Sequence, residues 1–219
     1  MEQQILASVY AEVQRRFASV DDPAHDWAHI QRVYHLALHI AGAECADRFI
    51  VGMAALMHDL GQSVRVESVQ HHADASLTLA RELLTTHQVA DDVRQAILHA
   101  IAAHSFSRGI VPHTLEACVV RDADRLDGLG AIGILRWAVT GTIRRTSQTR
   151  LYHPDDPLAI QRALDDRAYM LDHFFTKLLK IGDTMTTATG RAMAERRIAF
   201  MRSYLDELQW ELKQWELNK

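Results

Sequence analysis

The sequence predicts an all-α bundle in a single domain running from 1 to 219. Three observations carry this. Apolar residues recur every three or four positions along most of the chain, the period of one helix face. Only 10 glycines and 4 prolines are available to interrupt helices. No run alternates apolar and polar residues over the length of a strand.

The first predicted helix covers 2–18, with Ile5, Val9, Val13 and Phe17 four apart, and Asp21-Asp22-Pro23 ends it. The second covers about 26–41, striped by Ile30, Val33, Ala37 and Ile40, and Gly42 is read as its C-terminal glycine. The third, 47–60, is apolar all round from Phe49 to Met57, the pattern of a helix buried on most sides, with Gly61 as its terminator. Helices at 72–87 and 90–105 follow. Another covers 114–127, and Gly128, Gly130 and Gly133 interrupt a run that continues to Val139. Residues 140–157 have no periodicity, and loops of that length inside a compact domain tend to be functional. Two long helices, 158–181 and the amphipathic 184–217, complete the prediction. The aromatic positions Tyr204, Trp210 and Trp215 of the last suit core packing or a partner helix, which leaves a homodimer open.

Composition narrows the function. Apolar residues make up 48% and charged residues 24%, which is enough to build a core. Lys plus Arg number 24 against 28 Asp plus Glu, so the net charge of −4 disfavours long nucleic acid as a partner. The stretch from Phe49 to Met57 is about half the ~20 residues a membrane helix needs. Cys45 and Cys118 form neither a disulfide framework nor a zinc motif. These features fit a cytoplasmic protein with no membrane association. Histidine is in excess, with 13 residues, so its positions decide.

Three places put histidine or aspartate into apolar surroundings. His58-Asp59 closes the most apolar helix, where an imidazole and a carboxylate are costly to bury without partners. His25 and His29 lie one helical turn apart, with Arg32 beyond. Asp122, Asp124 and Asp127 fall within six residues of an otherwise apolar helix. Their joint occurrence points to one shared metal site, because imidazole and carboxylate donors suit a divalent ion.

The order His…His-Asp…Asp on consecutive helices resembles the HD-domain superfamily of metal-dependent phosphohydrolases. Longer strings resemble a bacterial branch that includes nucleotide pyrophosphohydrolases: His-Asp-Trp-x-His-x-x-Arg-Val at 25–33, His-Ser-Phe-Ser at 104–107, Asp-Ala-Asp-Arg-Leu-Asp-x-x-Gly-Ala at 122–131 and Met-x-Thr-x-x-Gly-Arg at 185–191. The likeness covers about 20–205 and implies a helical bundle of the HD-domain type. It also implies metal ligands at His29, His58, Asp59 and Asp124 and hydrolysis of a (deoxy)nucleoside triphosphate to monophosphate and pyrophosphate.

Two imidazoles and two carboxylates leave positions open for water and a substrate phosphate, and suit manganese, nickel, cobalt or iron better than calcium, with magnesium a weaker tenant. Asp59 is a catalytic candidate through the ion. His104 is a candidate proton relay or further ligand, and His72 with His104 a candidate second metal site, as in dinuclear relatives. Asp26 either polarises water, steadies His29 or caps its helix. Arg144, Arg145 and Arg150, interleaved with threonines, are candidates to grip substrate phosphates, as is Lys177. Two other functions stay open: a nucleotidase or phosphodiesterase on the same metal, and a non-catalytic helical signalling module.

Overall fold

The computed structural model describes residues 1–64, 72–105 and 109–214; among these the side chains of His72, Ala73, Arg144 and Gln214 lie outside the description. The described residues form α1 (Glu2–Phe17), α2 (Trp27–Glu44), α3 (Arg48–Met57), α4 (His72–Thr86), α5 (Asp91–His104), α6 (Leu115–Asp127), α7 (Gly130–Arg144), the short α8 (Asp172–Thr176) and α9 (Ala188–Gln214). Two 3₁₀ segments, Leu60–Ser63 and Leu178–Thr184, complete them. No strand forms among the described residues, and the all-α reading holds.

Contacts divide the chain into two compact units. The first comprises Met1–Asp127 with Thr186–Gly190, the second Gly128–Met185 with the chain from Arg191 onward. In the first unit α3 is the central element: every residue from Val51 to Met57 is buried, and α1, α2, α5 and α6 pack around it. Asp47 starts α3 by accepting hydrogen bonds from the Phe49 and Ile50 amides. In the second unit the Trp137 ring packs edge-on against Phe174 at 4.9 Å, and its indole N–H donates to the Met170 carbonyl at 2.9 Å.

Two helix ends differ from the sequence reading. Gly42 sits inside α2, and Cys45 supplies the left-handed C-cap with φ 59°, its amide bonded to the Ala41 carbonyl. Arg48 reaches back to the Leu38 carbonyl at 2.9 Å, satisfying an acceptor of the same helical end. α3 stops at Met57, so His58 and Asp59 lie in the turn that follows. Gly61 falls inside the 3₁₀ segment, its amide donating to Ser76 Oγ at 2.8 Å.

The long helix predicted over 158–181 does not form: 158–171 is not helical, and only α8 and the start of the second 3₁₀ segment fall within the span. Residues 145–171 run as turns and bends apart from a bridge between Arg150 and Tyr169, and α7 extends to Arg144 instead of ending near 139. Acidic side chains take the amides that a helix would need. Asp156 accepts from Ile160, Gln161 and Arg162, and Asp165 accepts from Arg167 and Ala168. The buried Asp172 carboxylate receives both Nη atoms of Arg162 at 2.6 Å and the Asp165 amide at 2.7 Å. Ala159 takes φ 52°, which a helix cannot contain. Ile160 and Leu164, whose spacing suggested a helix, are 72% and 41% exposed.

Candidate metal centre

Four elements of the first unit deliver side chains to one point. Asp26 caps α2 by accepting from the His29 amide at 3.0 Å, which sets His29 in the first turn of that helix. The end of α3 delivers His58 and Asp59, the last turn of α5 delivers His104, and α6 delivers Asp124 and Asp127.

His29 Nε2 and His58 Nε2 are 3.3 Å apart. His29 Nε2 lies 3.7 Å from Asp59 Oδ2 and 3.6 Å from Asp124 Oδ1, and His58 Nε2 lies 3.7 and 3.8 Å from the same atoms. Donors around a single ion at bonds near 2.1 Å stand about 3.0–3.5 Å apart, so this is the edge length of a coordination shell expanded slightly. His29, His58 and Asp59 each offer one donor atom within 4.8 Å of the others.

The hydrogen bonds on the far side of each ring fix the tautomers. His29 Nδ1 donates to Asp127 Oδ2 at 2.8 Å, His58 Nδ1 to the Ala55 carbonyl at 2.8 Å, and His104 Nδ1 to the Ile101 carbonyl at 2.5 Å. With Nδ1 protonated, the Nε2 atoms of His29 and His58 present lone pairs to each other across 3.3 Å. Two acceptors at that distance repel unless a cation joins them. The donor set therefore fits a divalent metal, by the same arrangement in which a ligating imidazole gives its other N–H to a carboxylate or carbonyl.

Burial pushes the His58 pKa down to about 4, even though Asp59 and Asp124 pull the other way, so the ring stays neutral and able to ligate. Burial alone would raise the Asp59 carboxyl, but the three imidazoles around it, His58 first and then His104 and His29, hold it well below the usual carboxylate range. Burial also works against charge on His104, yet the Asp59 carboxylate, 3.7 Å away, raises its pKa. The imidazoles of His29 and His58 are fully buried, while the side chains of Asp59 and Asp124 are 18% and 28% exposed. Access to the centre is from the carboxylate side.

Two contacts here lay outside the reach of the sequence. Arg32 grips Asp127 through Nε at 2.7 Å and Nη2 at 3.0 Å, so Asp127 joins a guanidinium to the ring of His29. Asp122 does not face the imidazoles: its buried carboxylate accepts from the amides and hydroxyls of Thr186 and Thr187 and holds the start of α9. Gly190 is required by that packing, since a Cβ there would stand 2.6 Å from Asp122 Oδ2 and 2.7 Å from Thr187 Oγ1. Gly190→Ala is expected to destabilise the protein by about 1–3 kcal/mol through overpacking, measured by urea unfolding. An unchanged unfolding midpoint would mean that the turn yields freely.

His72 Nδ1 and Nε2 lie outside the described atoms, as do Phe106 and Ser107 of the His-Ser-Phe-Ser string. Arg144 ends α7 with its side chain outside the description, and Arg145, Arg150 and Lys177 are exposed residues of the second unit. On α6, burial pushes the pKa of the half-buried Arg125 down and the neighbouring Arg121 charge adds to the effect. No helix among the described residues is long and apolar enough to cross a membrane.

Comparison with known proteins places this geometry among relatives. The HD-domain family model matches residues 26–129, a span containing all four donors. The Bacillus subtilis protein YpgQ is 33% identical over 196 residues, covering 88% of this chain and 86% of that protein. The crystal structure of Bacillus subtilis YpgQ in complex with ADP superposes with a TM-score of 0.75 at 32% identity, covering 96% of each chain. An HD-superfamily hydrolase from Bacillus thuringiensis superposes with a TM-score of 0.76 at 30% identity, covering 97% of this chain and 99% of that one.

Proposed function

The chain belongs to the HD-domain family and is a metal-dependent phosphohydrolase, and we propose that it cleaves a (deoxy)nucleoside triphosphate to the monophosphate and pyrophosphate. The observation that carries this reading is the four-donor cluster around facing imidazole lone pairs, open on its carboxylate side. The ADP held by YpgQ supports a nucleotide as the substrate class. Manganese, nickel, cobalt or iron suits the mixed nitrogen and oxygen donors, with magnesium a weaker alternative.

A divalent ion held by His29, His58, Asp59 and Asp124 would lower the pKa of a water and offset charge building on the phosphoryl oxygens. The protein's own part is orientation and proton handling. Asp127 and the Ala55 carbonyl lock the two buried imidazoles in the ligating tautomer. His104, whose pKa Asp59 raises, is placed to pass a proton from Nε2 to a leaving phosphate oxygen or, when neutral, to serve as a ligand there. Asp26 works through the backbone of His29. Arg144, Arg145, Arg150 and Lys177 are proposed to hold substrate phosphates, and His72 with His104 a second ion.

The test is product analysis with the metal-loaded protein and a panel of nucleoside triphosphates. Pyrophosphate and monophosphate in equal amounts are expected. Orthophosphate release alone would assign a nucleotidase, and turnover of phosphodiesters in preference to triphosphates a phosphodiesterase. Bound metal without turnover of any phosphoester would turn the reading to a non-catalytic module.

A further inference from the structure

Helix α6 carries more than metal donors. At about 100° per residue, Asp127, Asp124, Arg121 and Arg125 occupy successive sectors of its circumference, about 60°, 60° and 40° apart. The sector facing the imidazoles therefore passes into a strip bearing two guanidinium groups. About 60° further round comes Asp122, already engaged by Thr186 and Thr187. Arg121 and Arg125, at i and i+4, are direct neighbours on the helix surface, and both are half-buried.

Arg121 Nε is buried and has no hydrogen-bond partner. A buried N–H without an acceptor is costly. An anion with several oxygens relieves that cost. Phosphate suits this position because the guanidinium fork matches its oxygens bidentately. Arg121 lies about 4.5 Å along the helix axis from Asp124, a separation that a phosphate chain bridges from the carboxylate donors to the arginine strip.

We propose that Arg121 and Arg125 form an oligophosphate subsite beside the metal donors, holding the phosphates of the substrate that lie beyond the one attacked. The proposal rests on the reading of this chain as a nucleoside triphosphate hydrolase, and it assigns selectivity for a triphosphate over a monoester to α6. Asp124 on this helix belongs to the ion, and the arginines one sector away belong to the rest of the phosphate chain.

The test is calorimetric titration of the full-length, metal-loaded protein with inorganic tripolyphosphate and with orthophosphate, followed by elemental analysis to check that the ion has stayed. Wild type is expected to bind tripolyphosphate at least tenfold more tightly than orthophosphate. Arg121→Gln is expected to weaken tripolyphosphate at least tenfold, with orthophosphate affinity and metal content little changed. Arg121→Lys, which keeps the charge but not the fork, should fall between the two. Arg121→Gln binding tripolyphosphate like wild type would overturn the subsite. So would equal losses in the Gln and Lys variants accompanied by a lowered thermal midpoint, since that marks a structural role. If Arg121→Gln does not fold, Arg125→Gln is read in the same titration, and unchanged affinity there overturns the proposal. Tripolyphosphate binding lost in Arg121→Gln, with no nucleotide turned over by wild type, would keep the subsite and remove the nucleotide reading.

Discussion

Asp59→Asn is expected to lower kcat at least ~100-fold and to leave the protein folded, with metal occupancy well below one ion per chain. The carboxylate stands 3.7 Å from both imidazole Nε2 atoms through one oxygen and 3.7 Å from His104 through the other. An amide of the same shape keeps the volume and loses the charge. It also presents either a poor donor oxygen or an N–H₂ group toward the centre, and it removes the partner that raises the His104 pKa. Loss of a hundredfold corresponds to about 2.7 kcal/mol of barrier, within what a charge-bearing ligand contributes.

The fold should survive because no backbone amide among the described residues bonds this side chain and 18% of it is exposed. The depressed pKa of Asp59 means that its charge favours the fold, so the thermal midpoint without metal should fall modestly, while the rise on adding Mn²⁺ disappears, since a ligand that no longer binds cannot stabilise. A variant retaining more than about a tenth of wild-type kcat would remove Asp59 from the ligands. Loss of the metal-free midpoint together with activity would make it a structural residue.

What the sequence made legible follows from the range of the interactions involved. Apolar spacing located α1 to α6 because each is an amphipathic or fully buried helix whose stripe lies in consecutive turns. His29, His58, Asp59 and Asp124 stood out because polar groups were set into those stripes, and the distances bring all four together. The stretch 158–171 misled because Ile160 and Leu164 repeat at helical spacing while exposed, and Asp156, Asp165 and Asp172 claim the amides and the Arg162 guanidinium. Periodicity carries no record of such side-chain capture. The same limit hid the hold of Asp122 on Thr186 and Thr187, more than sixty positions later, although the Met-x-Thr-x-x-Gly-Arg string already marked that turn. Cys45 as a left-handed cap was hidden because Gly42, three residues earlier, offered the commoner signal.

Asp127→Asn is expected to weaken metal affinity about 10- to 100-fold and to destabilise the protein by ~3 kcal/mol, two effects that arise from different partners of one carboxylate. Toward the ion, Asp127 accepts the Nδ1 proton of His29, which fixes the ring and makes Nε2 a stronger donor. Toward the fold, it is the partner of Arg32, whose pKa is raised chiefly by that hydrogen bond. Asp127 is 1% exposed, so asparagine there leaves a guanidinium facing a neutral amide at the edge of the core. The Arg32 side chain is 31% exposed and can turn partly to water, which places the stability cost at the lower end for a broken buried pair. Arg32→Met separates the effects. It removes the guanidinium but leaves the bond from His29 to Asp127, so its metal affinity should lie closer to wild type than that of Asp127→Asn. Affinity is measured by competition with a chromophoric chelator and stability by urea unfolding at saturating metal. Equal affinity losses in both variants would mean that the carboxylate acts through packing alone, and an Asp127→Asn protein binding metal like wild type would show that the His29 ring is held by its helix without help.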